Sequence, residues 1–384
     1  MDIVFILTHP IHQDIASSNL MRAYSKYDSN RFSYRCYCSA PIGVNSKGFI
    51  NNSYFEYVFE NNRNAISLIN KIWNKILLIH SIIYDCIRCD IRNDVVYIYH
   101  ISSPLLIFIY SIIYKVKGID TWLYRTEIPY ALFNKPSLNI FYRIAYFYIN
   151  NLIVETNAMK LFYKNILKPD ASISVVYSSL DCSDIKFIDK MNNTQMYIAY
   201  CGLISSEDKD GLLLAIEGFS KILNYYNDIY FYIVGGNSNE SYYLSLKQKV
   251  HKLNIDHNVI FTGKVSREQY IWYLKNAYLL VNCKRPGGYN SYGLSSKVIE
   301  YLYSGNPVLM TKADEFKDIL IDMEDVIYID NDIDSFFAKT MWALANANEV
   351  ENIGEHGRGK VNSYFSISSL SRKLLYIIDD KYNI

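Results

Sequence analysis

The chain has 384 residues, half of them apolar, and a formal net charge of +1. That length exceeds one ordinary α/β core and suits two domains. The balanced charge offers no basic excess for binding nucleic acid. The 37 tyrosines decide little, because tyrosine also serves as a half-buried filler with a polar tip.

The opening MDIVFILTHP has a short apolar run without a basic region before it, the pattern of a first strand rather than a signal peptide. After that strand (3–7), residues 17–27 read as a helix and SYRCYC as a second strand. Further strands are expected at 94–100, 122–127, 151–156 and 173–181, with helix-length segments at 65–89, 104–115 and 138–150. The longest apolar stretch, 101–116, includes Ser102, Ser103, Pro104, Ser111 and Lys115 and falls short of the ~20 residues that span a bilayer. A cytoplasmic protein is expected. Seven cysteines, an odd number, fit reduced thiols. The pairs Cys36/Cys38 and Cys86/Cys89 have spacings that zinc sites use, but the expectation is structural thiols and no metal.

Strand–helix alternation predicts an N-terminal α/β domain over 1–181. The polar stretch CSDIKFIDKMNNT (182–194) reads as a linker. A second alternating set follows, with strands at 196–202, 229–236, 258–263, 277–283, 306–311 and 326–330 and helices that include 212–225, 242–253 and 296–304. It defines a C-terminal domain over 195–365. A last helix (366–379) begins a tail, 366–384, expected to pack back onto the first domain. The predicted fold class is α/β, with two Rossmann-like, doubly wound parallel-sheet domains facing a cleft. Ligands of such sheets bind beyond the carboxyl ends of the strands.

The densest chemical signal is the window from Gly293 through Ser295-Ser296-Lys297-Val298-Ile299-Glu300-Tyr301 to Gly305-Asn306-Pro307-Val308. Ser295 and Ser296 are N-cap residue types, and Gly305 is a helix stop. The N–H groups and dipole of such a helix start suit a diphosphate. Glu300, four residues after Ser296, lies near the same face, where a carboxylate can accept two bonds from vicinal ribose hydroxyls. An ordinary capped, exposed helix explains the same residues equally well.

The window resembles the signature of GT-B glycosyltransferases, particularly glycosyltransferase family 4, in its Ser-Lys-x-x-Glu-Tyr form of the Glu-x7-Glu motif. The position of the first glutamate, which in the family touches the donor sugar, is Tyr292 here. Tyr200-Cys201-Gly202, followed by Gly211 and a Leu-rich helix, is similar to the family's Gly-x-x-x-x-x-Lys-Gly element. The family lysine falls on Asp210, and Lys209 stands one residue early. The resemblance implies a cation against the donor diphosphate: Lys209, with Arg285 and Lys297 as substitutes, or else a solvated turn at Lys209. Gly235, and Gly263-Lys264-Val265, match in order and spacing as strand ends where a backbone can approach a ligand. In the first domain the likeness is architectural. It points to Glu127 near the sugar ring and His100 at a strand end, against the plainer reading of His100 as structural.

What the resemblance implies is transfer of a sugar from a nucleoside diphosphate sugar, expected to be UDP-linked, to a saccharide or lipid-linked saccharide hydroxyl. Configuration is expected to be retained, and no metal or other cofactor is required. The setting implied is bacterial surface polysaccharide synthesis (capsule, O-antigen or similar), with peripheral association at the inner face of the membrane. The alternative is a GT-B sugar-nucleotide epimerase or a catalytically degenerate binding subunit.

Overall fold

The computed structural model describes residues 2–6, 33–41, 47–50, 53–61, eight positions within 72–87, 94–99, 104–129, 132, 136–177, 185, 195–204, 208–237, 239–285, 287, 291–312 and 315–382. The chain divides into two compact units. The first comprises Met1–Ser179, Tyr292–Leu294 and Ile367–Ile384, and the second Leu180–Ser291 and Ser295–Ser366.

The first unit is built on an eight-stranded sheet. Its strands are β1 (Asp2–Ile6), β2 (Ser33–Pro41), β3 (Lys47–Ile50), β4 (Ser53–Asn61), β5 (Asp94–Tyr99), β6 (Thr121–Arg125), β7 (Asn151–Val154) and β8 (Ser172–Val175), in the order β3-β4-β2-β1-β5-β6-β7-β8. The sheet is parallel except for β3, which pairs antiparallel with β4 at the edge. The expectation of a wholly parallel sheet is corrected there, and β3 and β4 had no counterpart in the sequence reading. Helices α1 (Pro104–Val116) and α2 (Pro136–Tyr146) link β5 to β6 and β6 to β7, and α3 (Asn157–Lys164) follows β7. Every residue of β6 and β7 is buried, as in parallel strands covered on both faces. The helix expected at 17–27 and the loop after β1 lie outside the described residues, as does most of the helix expected at 65–89.

The second unit carries β9 (Tyr197–Cys201), β10 (Tyr230–Val234), β11 (Val259–Gly263), β12 (Leu279–Asn282), β13 (Val308–Thr311) and β14 (Ile327–Ile329), all parallel, in the order β11-β10-β9-β12-β13-β14. Numbered within the unit, that order is 3-2-1-4-5-6, the dinucleotide-fold order. Between the strands run α4 (Leu212–Ile222), α5 (Glu240–Lys252), α6 (Arg267–Asn276) and α7 (Ser296–Ser304), and after β14 come α8 (Ile333–Ala345) and α9 (Ala347–Tyr364). The core joins Ile198 and Tyr200 of β9, Phe231 and Ile233 of β10, and Phe219 of α4. The last helix, α10 (Ile367–Tyr382), belongs to the first unit. Among the described residues no helix is long and apolar enough to cross a membrane.

Candidate nucleotide site of the second unit

In a sheet ordered 3-2-1-4-5-6 the connections from β9 and β12 leave in opposite directions, which opens a crevice beyond their carboxyl ends. The residues singled out in the C-terminal half gather around that edge. Gly202 follows β9, Gly235 follows β10, and Gly263 ends β11. Backbone bonds continue past the strand ends, from Gly202 N to Val234 O (2.8 Å), Ile204 N to Gly236 O (2.9 Å) and Gly235 N to Gly263 O (3.1 Å). The three glycines therefore lie side by side. Gly235 has φ +135°, and a Cβ there would overlap the Gly202 carbonyl oxygen, so the close approach requires glycine.

Lys297, on the first turn of α7, lies across this edge. A Cβ on Gly202 would collide with its side-chain methylenes. Its Nζ is 2.7 Å from Asp210 Oδ1 and donates to the Tyr200 hydroxyl at 2.8 Å, which in turn donates to Asp210 Oδ2 at 2.8 Å. The ammonium also stands 4.9 Å from the centre of the Tyr200 ring. Burial lowers the Lys297 pKa, Asp210 opposes that shift, and nearby Lys209 and Lys284 add to it. The Tyr200 hydroxyl is pushed well up by burial and by Asp210, so it stays protonated and able to donate.

The position aligned with the family lysine thus holds an acid, and a lysine from α7 occupies the space beside it. Lys209 itself is exposed. Its carbonyl accepts from Arg285 N at 3.0 Å. The Arg285 side chain is paired with Asp208, whose Oδ1 accepts from Leu213 N and from the Tyr242 hydroxyl. Lys284 pairs with buried Glu315 at 2.8 Å.

Ser295 stands at the N-cap of α7 with extended backbone, but its hydroxyl makes no capping bond and is 3.2 Å from Asn282 Nδ2. The serine cap read from the sequence holds by position and not by side-chain bonding. Ser296, the first helical residue, is exposed. A helix start without a side-chain cap keeps the character of an anion site. Glu300 lies one turn on, 18% exposed. Its Oε1 accepts from Arg267 Nη1 at 2.6 Å and its Oε2 from the Tyr270 hydroxyl at 2.8 Å. A carboxylate has about four lone-pair positions, so this one is oriented while retaining capacity for two hydroxyl donors. Tyr301, the next residue, accepts from Cys201 N and donates to Cys201 O, both at 2.7 Å, fixing α7 to the end of β9. Lys264 is exposed and Val265 half-buried, just past Gly263.

Arg267 and Tyr270 escaped the sequence reading, and Tyr200 and Asp210 entered it only as motif positions without a role in the site. The usable signal was the Arg267–Tyr270 spacing of three, which puts both on one face of α6 behind the Ser266–Gln269 capping box. In the first unit Glu127 is exposed two residues beyond β6, beside buried Arg125, which donates to the Tyr146 hydroxyl at 3.0 Å. His100 lies outside the described residues. Cys86, Cys201 and Cys283 are buried, and the Cys86 thiol donates to the Ile113 carbonyl. Among the described residues no three His, Cys, Asp or Glu side chains form a group suited to a metal.

Residues 183–360 match the family described as Glycosyl transferases group 1. That segment is a glycosyltransferase domain. No curated protein matches the chain by sequence. Among solved structures, the chain is similar to sucrose-phosphate synthase from Thermosynechococcus elongatus (TM-score 0.73, 8% identity, 100% of both chains covered). It is also similar to Anabaena HepE in complex with UDP (TM-score 0.71, 10% identity, 99% of this chain and 100% of that one). A glycosyltransferase from Rickettsia africae gives 0.70 at 14% identity, covering 99% and 98%. These likenesses extend the GT-B fold to the whole chain. The switch-point edge of the glycosyltransferase domain is where the glycines, Lys297 and Glu300 converge.

Proposed function

We propose that this glycosyltransferase moves a sugar from a UDP-sugar to a hydroxyl of a saccharide, with retention of configuration and without a metal. The observation that carries the reading is Lys297 at the start of α7, laid over Gly202 one turn before an oriented Glu300. Glu300 would take the ribose hydroxyls, while the α7 start and Lys297 would take the diphosphate. Charge on the departing diphosphate grows as the sugar leaves, so a preorganised cation there acts most strongly in the transition state. UDP as the nucleotide is supported by the UDP bound in the HepE structure. Retention, a place in family 4, a saccharide on a lipid carrier as acceptor and a role in surface polysaccharide assembly rest on the Ser-Lys-x-x-Glu-Tyr resemblance. Glu127 remains the candidate near the sugar ring.

The experiment is a panel of nucleoside diphosphate sugars offered with and without candidate acceptors, with products read by mass. A glycosylated acceptor and released UDP are expected. A second reading has its own observation: Asp210 and Asp208 already neutralise Lys297 and Arg285. Turnover of the donor with no acceptor consumed would favour an epimerase, and binding without turnover a degenerate subunit.

A further inference from the structure

The first unit leaves an apolar face uncovered, far more continuous than the scattered exposed apolar residues of the second. On α1, Leu105 and Val116 are 64% and 84% exposed, with Ile109 and Ile112 between them half-buried on the same helical face. On α2 and just past its end, Ile140, Phe141, Ile144 and Phe147 recur at i, i+1, i+4 and i+7, each half exposed or more. The connections β4→β5, β5→β6 and β6→β7 all step the same way across the sheet. Right-handed crossovers then put their helices on one side. Contacts agree: Phe108 of α1 meets Tyr148 just past α2 at 5.6 Å, and Lys117 donates to the carbonyls of Cys86 and Ile87. The segment ending there adds exposed Ile76, Ile83 and Ile87 to the face. Soluble monomers rarely expose apolar patches this contiguous without a partner.

Charge selects the partner. Neither α1 nor α2 contains an Asp or Glu, whereas Lys115 and Arg143 are exposed on them. Lys115 reaches over the Tyr148 ring, 4.9 Å from its centre. Two copies meeting through this face about a two-fold axis would bring like charges together without acids to answer them. An anionic bilayer surface supplies negative headgroups to the lysine and arginine, and an acyl boundary to the isoleucines and phenylalanines. We propose that the outer face of α1 and α2, together with the exposed Ile76, Ile83 and Ile87, docks the protein on an anionic lipid surface. This deepens the lipid-linked acceptor reading by giving it a place of contact. It stands on residues of the first unit alone, so it can fail while the donor chemistry holds.

The test is co-sedimentation of the full-length protein with vesicles of phosphatidylcholine alone or mixed with phosphatidylglycerol. Partition onto the mixed vesicles should be about tenfold stronger or more, and weaken with added salt. Phe141→Ser with Phe147→Ser, and separately Lys115→Gln with Arg143→Gln, should each lower it about tenfold. UDP affinity serves as the check that these variants are folded, and it should not change. Absence of binding by the wild type, equal partition onto both vesicle types, or unchanged partition in folded variants overturns the proposal. So does a dimer that the phenylalanine substitutions dissolve while vesicles bind nothing.

Discussion

Lys297 is 22% exposed and set against Asp210 and Tyr200, so its proton is held less firmly than that of a lysine in water. An anionic diphosphate prefers the protonated form. UDP affinity should therefore fall as pH rises, and the fall should begin at lower pH than for a lysine of ordinary pKa. Lys297→Arg should move that fall out of range, as calorimetry across the pH series would show. In turnover assays Lys297→Ala should lower kcat on the order of 10²–10³, more than it raises KM. Exposed Lys209, nearby but not at hydrogen-bond distance from the Tyr200–Asp210 pair, should cost much less when changed to alanine; the reverse order would return the phosphate role to Lys209. Glu300→Ala should weaken UDP binding by roughly 1–3 kcal/mol, the scale of lost charge-assisted hydrogen bonds. Unchanged affinity would remove Glu300 from the site. The glutamate was legible because it sits inside a motif with a fixed spacing to its own helix start. The Lys297–Asp210 pair was not, since its partners lie 87 positions apart and only the folded sheet edge brings them together.

The strand ends show the same division between what the chain displays and what packing decides. Gly202, Gly235 and Gly263 each follow an apolar run, and the sequence marks them as strand stops. Only the structure ranks them. Gly235 has positive φ and its missing Cβ faces a carbonyl oxygen, whereas Gly263 (φ +67°) has open space. Gly263→Ala should cost only the left-handed backbone penalty of about 1–2 kcal/mol. Gly235→Ala must also move β9 or β10, so its loss of stability by denaturant titration should be clearly larger. The β3–β4 hairpin was missed because Ile50 pairs with Ser53 across Asn51-Asn52, without the glycine that usually marks a two-residue turn. In the proposed function, the start of α7 with Lys297 and Lys209 close by would supply the positive charge for the diphosphate without a cation from solution. Turnover is therefore expected to persist in excess EDTA. Loss of activity that Mg²⁺ or Mn²⁺ restores would refute the metal-free mechanism.

At the scale of the whole molecule, the alternation of strands and helices made two α/β units readable. Parallel strands buried on both faces appear as unbroken apolar runs, and six such runs became the sheet of the second unit. A segment need not join the unit it follows in the chain, and α10, expected from the sequence to pack back onto the first domain, is the telling case. It follows α9 of the second unit after a single break near Phe365, yet belongs to the first. Leu370, Leu374 and Ile378 recur every four residues and are at most 4% exposed, while Lys381 reaches Asn151 and stands 3.7 Å from Asp120. Lys373 lies 5.3 Å from the centre of the Tyr177 ring. Burying three such aliphatic side chains stabilises by roughly 1.5–3 kcal/mol each. Ending the chain at Ser366 should therefore destabilise the first unit by about 5 kcal/mol or more. The residues around Lys297 and Glu300 belong wholly to the second unit, so UDP binding should survive the truncation. A thermal melt in which an early transition separates from a later one that UDP still raises is the expected result. A single transition shifted down as a whole, with UDP binding lost, would mean that α10 supports both units.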